Sequence, residues 1–577
     1  MTSKVQGRQF QGVVAEALAY VFGVLFFVFT VGIEKLDPKN LEWLSHTDQR
    51  IPWLGWQFFS RDSWHWPLGS NGDYGWEGLN SIVFTDSFPG LAVIGKALNQ
   101  NNLNDGQYFG FGLLFGSIAL FVGAYKLFSQ MGFGAKSSVL ATVLLATTPT
   151  FWWMQRMYPT LSSGVALIVW AVYLYIRGKT TGPLRRLGWG WITLISCSVA
   201  TQAYLTVMVV AVFLAAVAKR AIERRDEIHR LVGLLVATSL CCFGVMYIFG
   251  YFTIPSKWSQ TGGYGWYSAN ILGLIDSNAT SATLPDLPSL PGQHEPIALG
   301  TGTLILAVVL VIYRLASHRS FGLRASFAEH SALLVTLAGL FLLAVSNTIS
   351  VGEWSFQIPI PHWLQHGLSV FRSSARFVWP SVVVVTVMIV ALTIRFVRYG
   401  STMLLVAVAL QIGDYAKEMR DVSERSDGKL VGIEISESFW QSVPSRYTTI
   451  AMHPAINGGQ GWTECAYAAS RSNREGHCGY FSRVQGLEEV NLRQSEALST
   501  GQLNTSTVYW VSTSWLKQHK SQLSLVDPRK LESVQVVTEL KELSNVAVIL
   551  IPNCGSSVDC SMFGESSESL GTYLTRI

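Results

Sequence analysis

The sequence predicts a polytopic α-helical membrane protein of about eleven transmembrane helices, followed by a smaller C-terminal α/β domain. Three observations predict it. Apolar stretches suited to a hydrocarbon core about 30 Å thick recur through residues 12–413. The loops rich in Lys and Arg follow alternate crossings. Beyond residue 414 the apolar runs shorten, and Cys465, Cys478, Cys554 and Cys560 appear. The charged fraction of 14% is also low beside the roughly 25% usual in soluble domains.

The crossings are expected near 12–33, 108–130, 137–154, 160–176, 187–203, 204–219, 231–253, 299–314, 330–348, 377–396 and 400–413. Lys4 and Arg8 precede the first. Arg177, Lys179, Arg185 and Arg186 follow the fourth, and Lys219, Arg220, Arg224, Arg225 and Arg230 follow the sixth. Arg314, Arg319 and Arg324 follow the eighth, and Arg395 and Arg398 the tenth. Each group therefore shares the N-terminal side, which the positive-inside rule makes cytoplasmic. Loops 34–107, 254–298 and 349–376 and the tail then lie outside. The net charge of +5 is accounted for by the cytoplasmic loops and calls for no nucleic acid. Residues 1–11 are polar and the first apolar run is long enough to remain a span, so no cleavable signal is expected.

The domain division expected is 1–413 for the membrane domain, with 34–107 as its first outer loop, and 414–577 for the outer α/β domain. In the tail, Tyr447–Met452, Thr507–Ser512 and Val546–Ile551 read as buried strands, and Thr513–Gln518 and Arg529–Leu540 as helices. Four cysteines on the non-cytoplasmic side suggest two disulfides, Cys465–Cys478 and Cys554–Cys560, each closing a short loop; the other two connectivities stay open. Cys197, Cys241 and Cys242 fall in spans and read as small apolar residues. The tail has no phosphate loop, nucleophile elbow or metal-ligand pair, so a cap for the outer face or an acceptor-binding role is expected.

The loop 34–107 is too long for a connection and is rich in carboxylates and tryptophans. Its aromatic residues, Trp56 among them, suit both a membrane interface and the faces of sugar rings. Ile51–Phe59 and Phe88–Asn99 read as helices lying in the interface plane, with apolar faces down. Asp73 and Glu77, in a Gly-rich turn, read as solvated.

Several runs, in order, carry a resemblance. They are Leu36-Asp-Pro-Lys-Asn40, Trp43-Leu44, Asp48, Gly55-Trp-Gln-Phe-Phe59, Trp66-Pro-Leu-Gly69 and Ser81-Ile-Val-Phe-Thr-Asp-Ser-Phe-Pro89. They continue with Gly263-Tyr-Gly-Trp-Tyr-Ser-Ala-Asn-Ile-Leu272, Gly292-Gln-His-Glu295 and Phe371-Arg-Ser-Ser-Ala-Arg-Phe-Val-Trp-Pro380. Together they resemble a bacterial family of polytopic GT-C type glycosyltransferases over most of residues 15–400. The family's Arg-Ser-x-Gly-Arg pattern has Ala375 in place of Gly. In general character the chain is also similar to pilin arabinofuranosyltransferases, without a particular residue carrying that likeness.

The resemblance implies a GT-C-like multi-pass protein of the bacterial inner membrane with a periplasmic C-terminal domain. It implies a polyprenyl-phosphate-linked sugar as donor and an envelope glycan, lipid or surface protein such as pilin as acceptor, with membrane lipids around it. It also implies a first-loop carboxylate acting as base with inversion. Asp48, about 15 residues past the first span, is the first choice, since an acceptor hydroxyl is a poor nucleophile until a base takes its proton. Burial among the nearby tryptophans is expected to raise its pKa. Capping of the helix that follows is the alternative role. Asp86 is the second choice, with capping of a helix at Pro89 as its alternative. Asp48 and Asp86 together are candidates for a divalent cation, although two carboxylates alone are a weak metal signal.

A lipid-phosphate leaving group needs positive charge. Arg372 and Arg376, four apart at the outer mouth of the tenth span, share one face if helical and grip a phosphate together, against a role as snorkelling anchors. Arg156 is a further phosphate candidate. Tyr158 and Tyr204 are expected to line the cavity or fill core, and His294 and Glu295 to orient an acceptor or stay solvated. A lipid-linked transporter or flippase is the competing class; it predicts mid-span charges and an internal repeat, and the sequence has neither. A non-enzymatic envelope-assembly scaffold is the third.

Overall fold

The structure is a computed structural model that describes residues 2–45, 47–76, 78–98, 106–178, 184–255, 264–293, 295–317, 321, 323–424, 437–537, 547–553 and 567–577. Every apolar stretch read from the sequence is helical. The helices are Thr2–Thr30, Phe109–Gln130, Ala135–Ala146 with Pro149–Met157, Pro159–Arg177, Leu184–Val199, Ala203–Glu223, Ile228–Ile248, Thr301–Ser317, Ser331–Val345, Trp379–Phe396 and Gly400–Glu424. Among the described residues, 6 segments are long and apolar enough to cross a membrane: Gly12–Thr30, Phe109–Gln130, Pro159–Arg177, Ala203–Glu223, Arg225–Ile248 and Ser374–Phe396. Ala135–Ala146, Thr301–Ser317 and Ser331–Val345 are apolar but shorter. This is the make-up of a helical membrane protein.

Two boundaries differ from expectation for local reasons. The stretch 137–154 is two helices, because Pro149 forces Thr148 into an extended conformation and restarts the helix at its own position. The last apolar helix does not stop near 413 but runs on to Glu424.

The chain divides into two compact units, and the division is not the one expected at 413/414. One unit comprises Met1–Asn40, Tyr108–Met246 and Thr261–Asp427. The other comprises Leu41–Gln107, Tyr247–Gln260 and Gly428–Ile577, so the first long loop folds with the tail.

The helical unit is built around a continuous apolar core that includes Trp152, Trp191 and Trp379, all nearly fully buried. Small residues let its helices approach closely. A Cβ on Gly23 would lie 2.7 Å from Ile118 Cα, and one on Gly116 2.5 Å from Ser163 Cα. The Ile228–Ile248 helix leaves Val232, Val236, Leu240 and Phe243 exposed along one side, a surface suited to lipid.

The described residues hold ten short strands. They are β1 (Ser70–Asn71), β2 (Asn80–Ser81), β3 (Thr348–Val351), β4 (Trp354–Gln357), β5 (Thr449–His453), β6 (Glu475–His477), β7 (Thr507–Ser512), β8 (Gln535–Val537), β9 (Ala547–Ile551) and β10 (Ser567–Ser569). Pairs β1–β2 and β3–β4 are antiparallel hairpins, the second in the helical unit. The other six strands form one sheet in the order β10-β8-β9-β7-β5-β6. Strand β5 runs parallel to both β6 and β7, while β9 is antiparallel to β7 and β8. The helices Trp462–Arg471 and Leu487–Thr500 make the two crossovers. The helix expected over Arg529–Leu540 is only Pro528–Glu532. The β-branched run Val534-Gln-Val-Val537 that follows enters the sheet as β8, with Val536 and Val537 buried.

The first-loop helix Arg50–Arg61 is not an interfacial helix. Ile51–Ser60 are all buried, because the helix forms part of the core of the α/β unit. Phe58 stacks on Tyr74 with centroids 4.2 Å apart, and Trp53 meets Tyr467 at 5.7 Å. The Arg61 guanidinium donates to the carbonyls of Ser470 and Arg474, which satisfies backbone groups at the C-terminal end of the Trp462–Arg471 helix. Gly55 is required here by close approach: a Cβ would collide with the Thr85 side chain. The second loop helix, Pro89–Leu98, buries Pro89, Ala92 and Lys96 and exposes Ile94 and Leu98. A Cys465–Cys478 disulfide ties the Trp462–Arg471 helix to the end of β6. Cys554 and Cys560 lie outside the described residues.

Candidate functional site

In the helical unit, three of the sequence runs quoted above converge on one buried cluster. Asn270 Nδ2 donates to Gln293 Oε1 at 3.0 Å and to the carbonyl of Gly352 at 2.8 Å. Gln293 Nε2 donates to Ser268 Oγ at 2.9 Å and Ser350 Oγ at 2.7 Å. These bonds pin the segment around Gly292–Glu295 to the β3–β4 hairpin, and Gly292 supplies the left-handed turn at φ 89°.

Two residues past Gln293, Glu295 meets Arg376. Both are 6% exposed. Arg376 Nε and Nη2 both donate to Glu295 Oε1, at 2.9 and 2.8 Å. The guanidinium carbon lies 4.6 Å from the Tyr158 ring centroid and 5.3 Å from that of Tyr204. A buried cation thus has a carboxylate and two aromatic faces for company, the arrangement that offsets its desolvation. Tyr204 OH accepts the Ser373 backbone N–H at 3.0 Å. Arg372, half-buried, donates from Nη2 to Tyr267 OH at 3.0 Å, and the Tyr267 carbonyl accepts the Ala375 N–H at 3.1 Å. The second carboxylate oxygen, Glu295 Oε2, is buried and has no hydrogen-bond partner among the described residues. An acceptor in that state is where a ligand hydroxyl or N–H would be most strongly bound.

This geometry corrects several expectations. Arg372 and Arg376 do not share a helix face. Arg372 sits in a bend, and Arg376 in the 3-10 turn Ser374–Val378 ahead of Trp379–Phe396. Arg376 is held by Glu295 and does not stand ready to grip a phosphate. Glu295 is not a solvated loop residue. Tyr158 and Tyr204 sit against the guanidinium rather than filling core alone. Arg156 lies in the Pro149–Met157 helix, and His294 lies outside the described residues. Tyr267 and Gln293 were not singled out from the sequence. Their signal was present in the runs that contain them.

The α/β unit holds the first-loop candidates. Asp48 is exposed, in the 3-10 turn Thr47–Gln49, so the expected burial among tryptophans does not occur. It is not the N-cap of Arg50–Arg61, a position taken by Gln49. Asp86 is half-buried and adopts φ 52°, ψ 23° after the Ile82–Thr85 turn, a left-handed conformation that Asp tolerates better than most residues. Trp56, expected to line the substrate site, is instead core: it is buried and its indole N–H donates to the Gly106 carbonyl at 2.8 Å. Asp73 is half-buried rather than solvated, and burial, reinforced by the charge of Asp62, raises its carboxyl pKa. Glu77 lies outside the described residues. No group of three or more His, Cys, Asp or Glu side chains suited to a metal ion occurs among the described residues, so Asp48 and Asp86 do not belong to such a set.

No curated protein matches the chain. Residues 20–416, more than two thirds of the sequence, match a family described as a domain of unknown function, DUF6311. The chain belongs to that family.

Proposed function

We propose that this protein is a GT-C type glycosyltransferase of the bacterial inner membrane. In this reading its eleven apolar segments all cross the bilayer, the N-terminus is cytoplasmic and the α/β unit is periplasmic. It moves a sugar from a polyprenyl-phosphate donor to an envelope glycan, lipid or surface protein such as pilin. The observation that carries the reading is the buried Arg376–Glu295 pair, whose Glu295 Oε2 has no partner among the described residues, together with the half-buried Arg372. Ionised side chains inside a helical membrane unit are costly to bury and mark ligand sites by default. The pair lies on two of the runs that resemble the transferase family.

Arg372 meets the charge that grows on the departing lipid phosphate, and Glu295, oriented by Arg376, binds a donor hydroxyl. Asp48 is the proposed acceptor base. It takes the proton of the acceptor hydroxyl, the oxygen bonds to the anomeric carbon with inversion, and the bond to the phosphate breaks with its electron pair on the phosphate oxygen. No step is routed through a cation.

The test is sugar transfer to envelope acceptors in membranes carrying the parent, Asp48→Asn or Arg372→Ala. Each variant is expected to lose transfer by roughly 10²–10⁴-fold while the protein stays in the membrane. An active parent with fully active Asp48→Asn would move the base to Asp86. A parent inactive with every polyprenyl-phosphate sugar supplied would sink the reading. The same buried pair also suits a lipid-linked substrate carrier, which would translocate the donor without forming any glycosidic bond.

A further inference from the structure

Three consecutive α-helices of the helical unit bring their basic ends around one cavity of about 590 Å³. The Leu184–Val199 helix contributes Arg185 from its first turn. Ala203–Glu223 contributes Arg220 from its last turn, with Arg224 as its C-cap. Ile228–Ile248 contributes Arg230 from its first turn. The positive-inside rule asks for basic residues in such loops, but it does not ask them to line a cavity. Arg186 and Arg225 meet that rule equally well and stay outside the lining.

Among the described lining residues, four guanidiniums face one carboxylate, Glu227, an excess of three positive charges. Glu227 Oε2 accepts from Arg220 Nε at 2.7 Å, and its Oε1 stands 3.6 Å from Arg224 Nη1. Both carboxylate oxygens are therefore committed, while Arg185 and Arg230 stand exposed. Like charges gathered around one cavity repel one another. Arg185 and Arg230 also sit in the first turns of their helices, where the positive end of the macrodipole disfavours a cation. An anion in the cavity relieves both costs.

The order of the lining along the helices selects the anion. Arg185 and Arg230 mark the helix ends. One turn further in come Gly188, Trp189 and Leu234, and two turns in comes Ile192, about 10 Å from Arg185 at a rise of about 1.5 Å per residue. The two helices approach closely there: a Cβ on Gly188 would lie 3.0 Å from Leu234 Cδ1. Charge at the helix ends and apolar walls along the helices match a molecule with an anionic head and a hydrocarbon tail. A small inorganic anion would leave the apolar half unused. Guanidinium donors fit phosphate oxygens in pairs. A zwitterionic head would bring its own cation against four guanidiniums, with Glu227 already engaged. The Trp189 indole, 61% exposed at the rim, suits the level of lipid headgroups. We infer that this cavity binds the phosphodiester of an anionic phospholipid. Arg185 and Arg230 meet the phosphate oxygens, and Trp189, Ile192 and Leu234 cover the first carbons of the chains. The lipid is held without reaction, whether or not the chain transfers a sugar.

The test is native mass spectrometry of the full-length protein, delipidated in detergent and titrated with phosphatidylglycerol or phosphatidylcholine. Phosphatidylglycerol is expected to bind about tenfold more tightly or better. Two double variants remove the same charge: Arg185→Gln/Arg230→Gln at the cavity, and Arg186→Gln/Arg225→Gln beside it, all at exposed positions. The first is expected to weaken phosphatidylglycerol binding roughly ten- to thirtyfold, and the second by less than about twofold. Glycerophosphoglycerol, the same head without chains, is expected to displace the lipid only at far higher concentration. No binding of phosphatidylglycerol, equal binding of phosphatidylcholine, or equal effects of the two double variants overturns the proposal. Displacement by glycerophosphoglycerol at the concentrations where the lipid itself binds would make the ligand a soluble phosphate ester and overturns the lipid assignment.

Discussion

Arg376 shows how a residue's meaning depends on what closes around it. From the sequence it stood four positions from Arg372, and that spacing suggested a shared helix face. Pro380 prevents this. A proline lacks the N–H that would bond the carbonyl of residue 376, and its ring would collide with that carbonyl, so the α-helix starts at Trp379. That constraint was legible in the sequence. The pairing with Glu295 was not, because 81 positions separate the two and only packing brings them together. Glu295→Ala would leave a buried guanidinium without its counter-charge and is expected to cost about 3–5 kcal/mol. Reversible SDS unfolding would measure it, with the Glu295→Ala/Arg376→Leu double variant recovering most of the loss. A single variant as stable as the parent would show that water or lipid headgroups compensate Arg376 instead.

Elements follow the same division. Helix positions in the membrane unit were readable because apolar runs and prolines act locally. What packs on what was not, because the contacts are made by residues distant in sequence. Gly116 sits in the Phe109–Gln130 helix against Ser163 of Pro159–Arg177, and even a Cβ there would be 2.5 Å from the neighbouring Cα. Gly116→Leu is therefore expected to push the two helices apart and destabilise the unit by about 1–3 kcal/mol, read as a lowered SDS-unfolding midpoint. Gly116→Ala should have a smaller effect in the same direction. An unchanged midpoint for Gly116→Leu would mean that the helices do not meet at this position. The Arg50–Arg61 helix teaches the converse. Its amphipathic composition fits a membrane interface and a protein core equally well, and the α/β unit supplied the core.

At the scale of the whole molecule, the alternating basic loops predict a sidedness that cysteine labelling can test. Ser524 and Asp226 are both exposed. Ser524→Cys in the tail is expected to react with a membrane-impermeant maleimide in intact spheroplasts. Asp226→Cys, between the helices Ala203–Glu223 and Ile228–Ile248, should react only after lysis, both read against the parent background. Labelling with the opposite pattern would invert the proposed orientation. The membrane class, the helix positions and three of the tail strands came from the sequence alone, because hydropathy, charge and β-branched runs act over a few neighbouring residues. Only the tertiary structure decided that residues 41–107 fold with the tail and that Glu295 pairs with Arg376. Those outcomes depend on burial between segments far apart in the chain, and no local pattern records which distant partner will exclude the water.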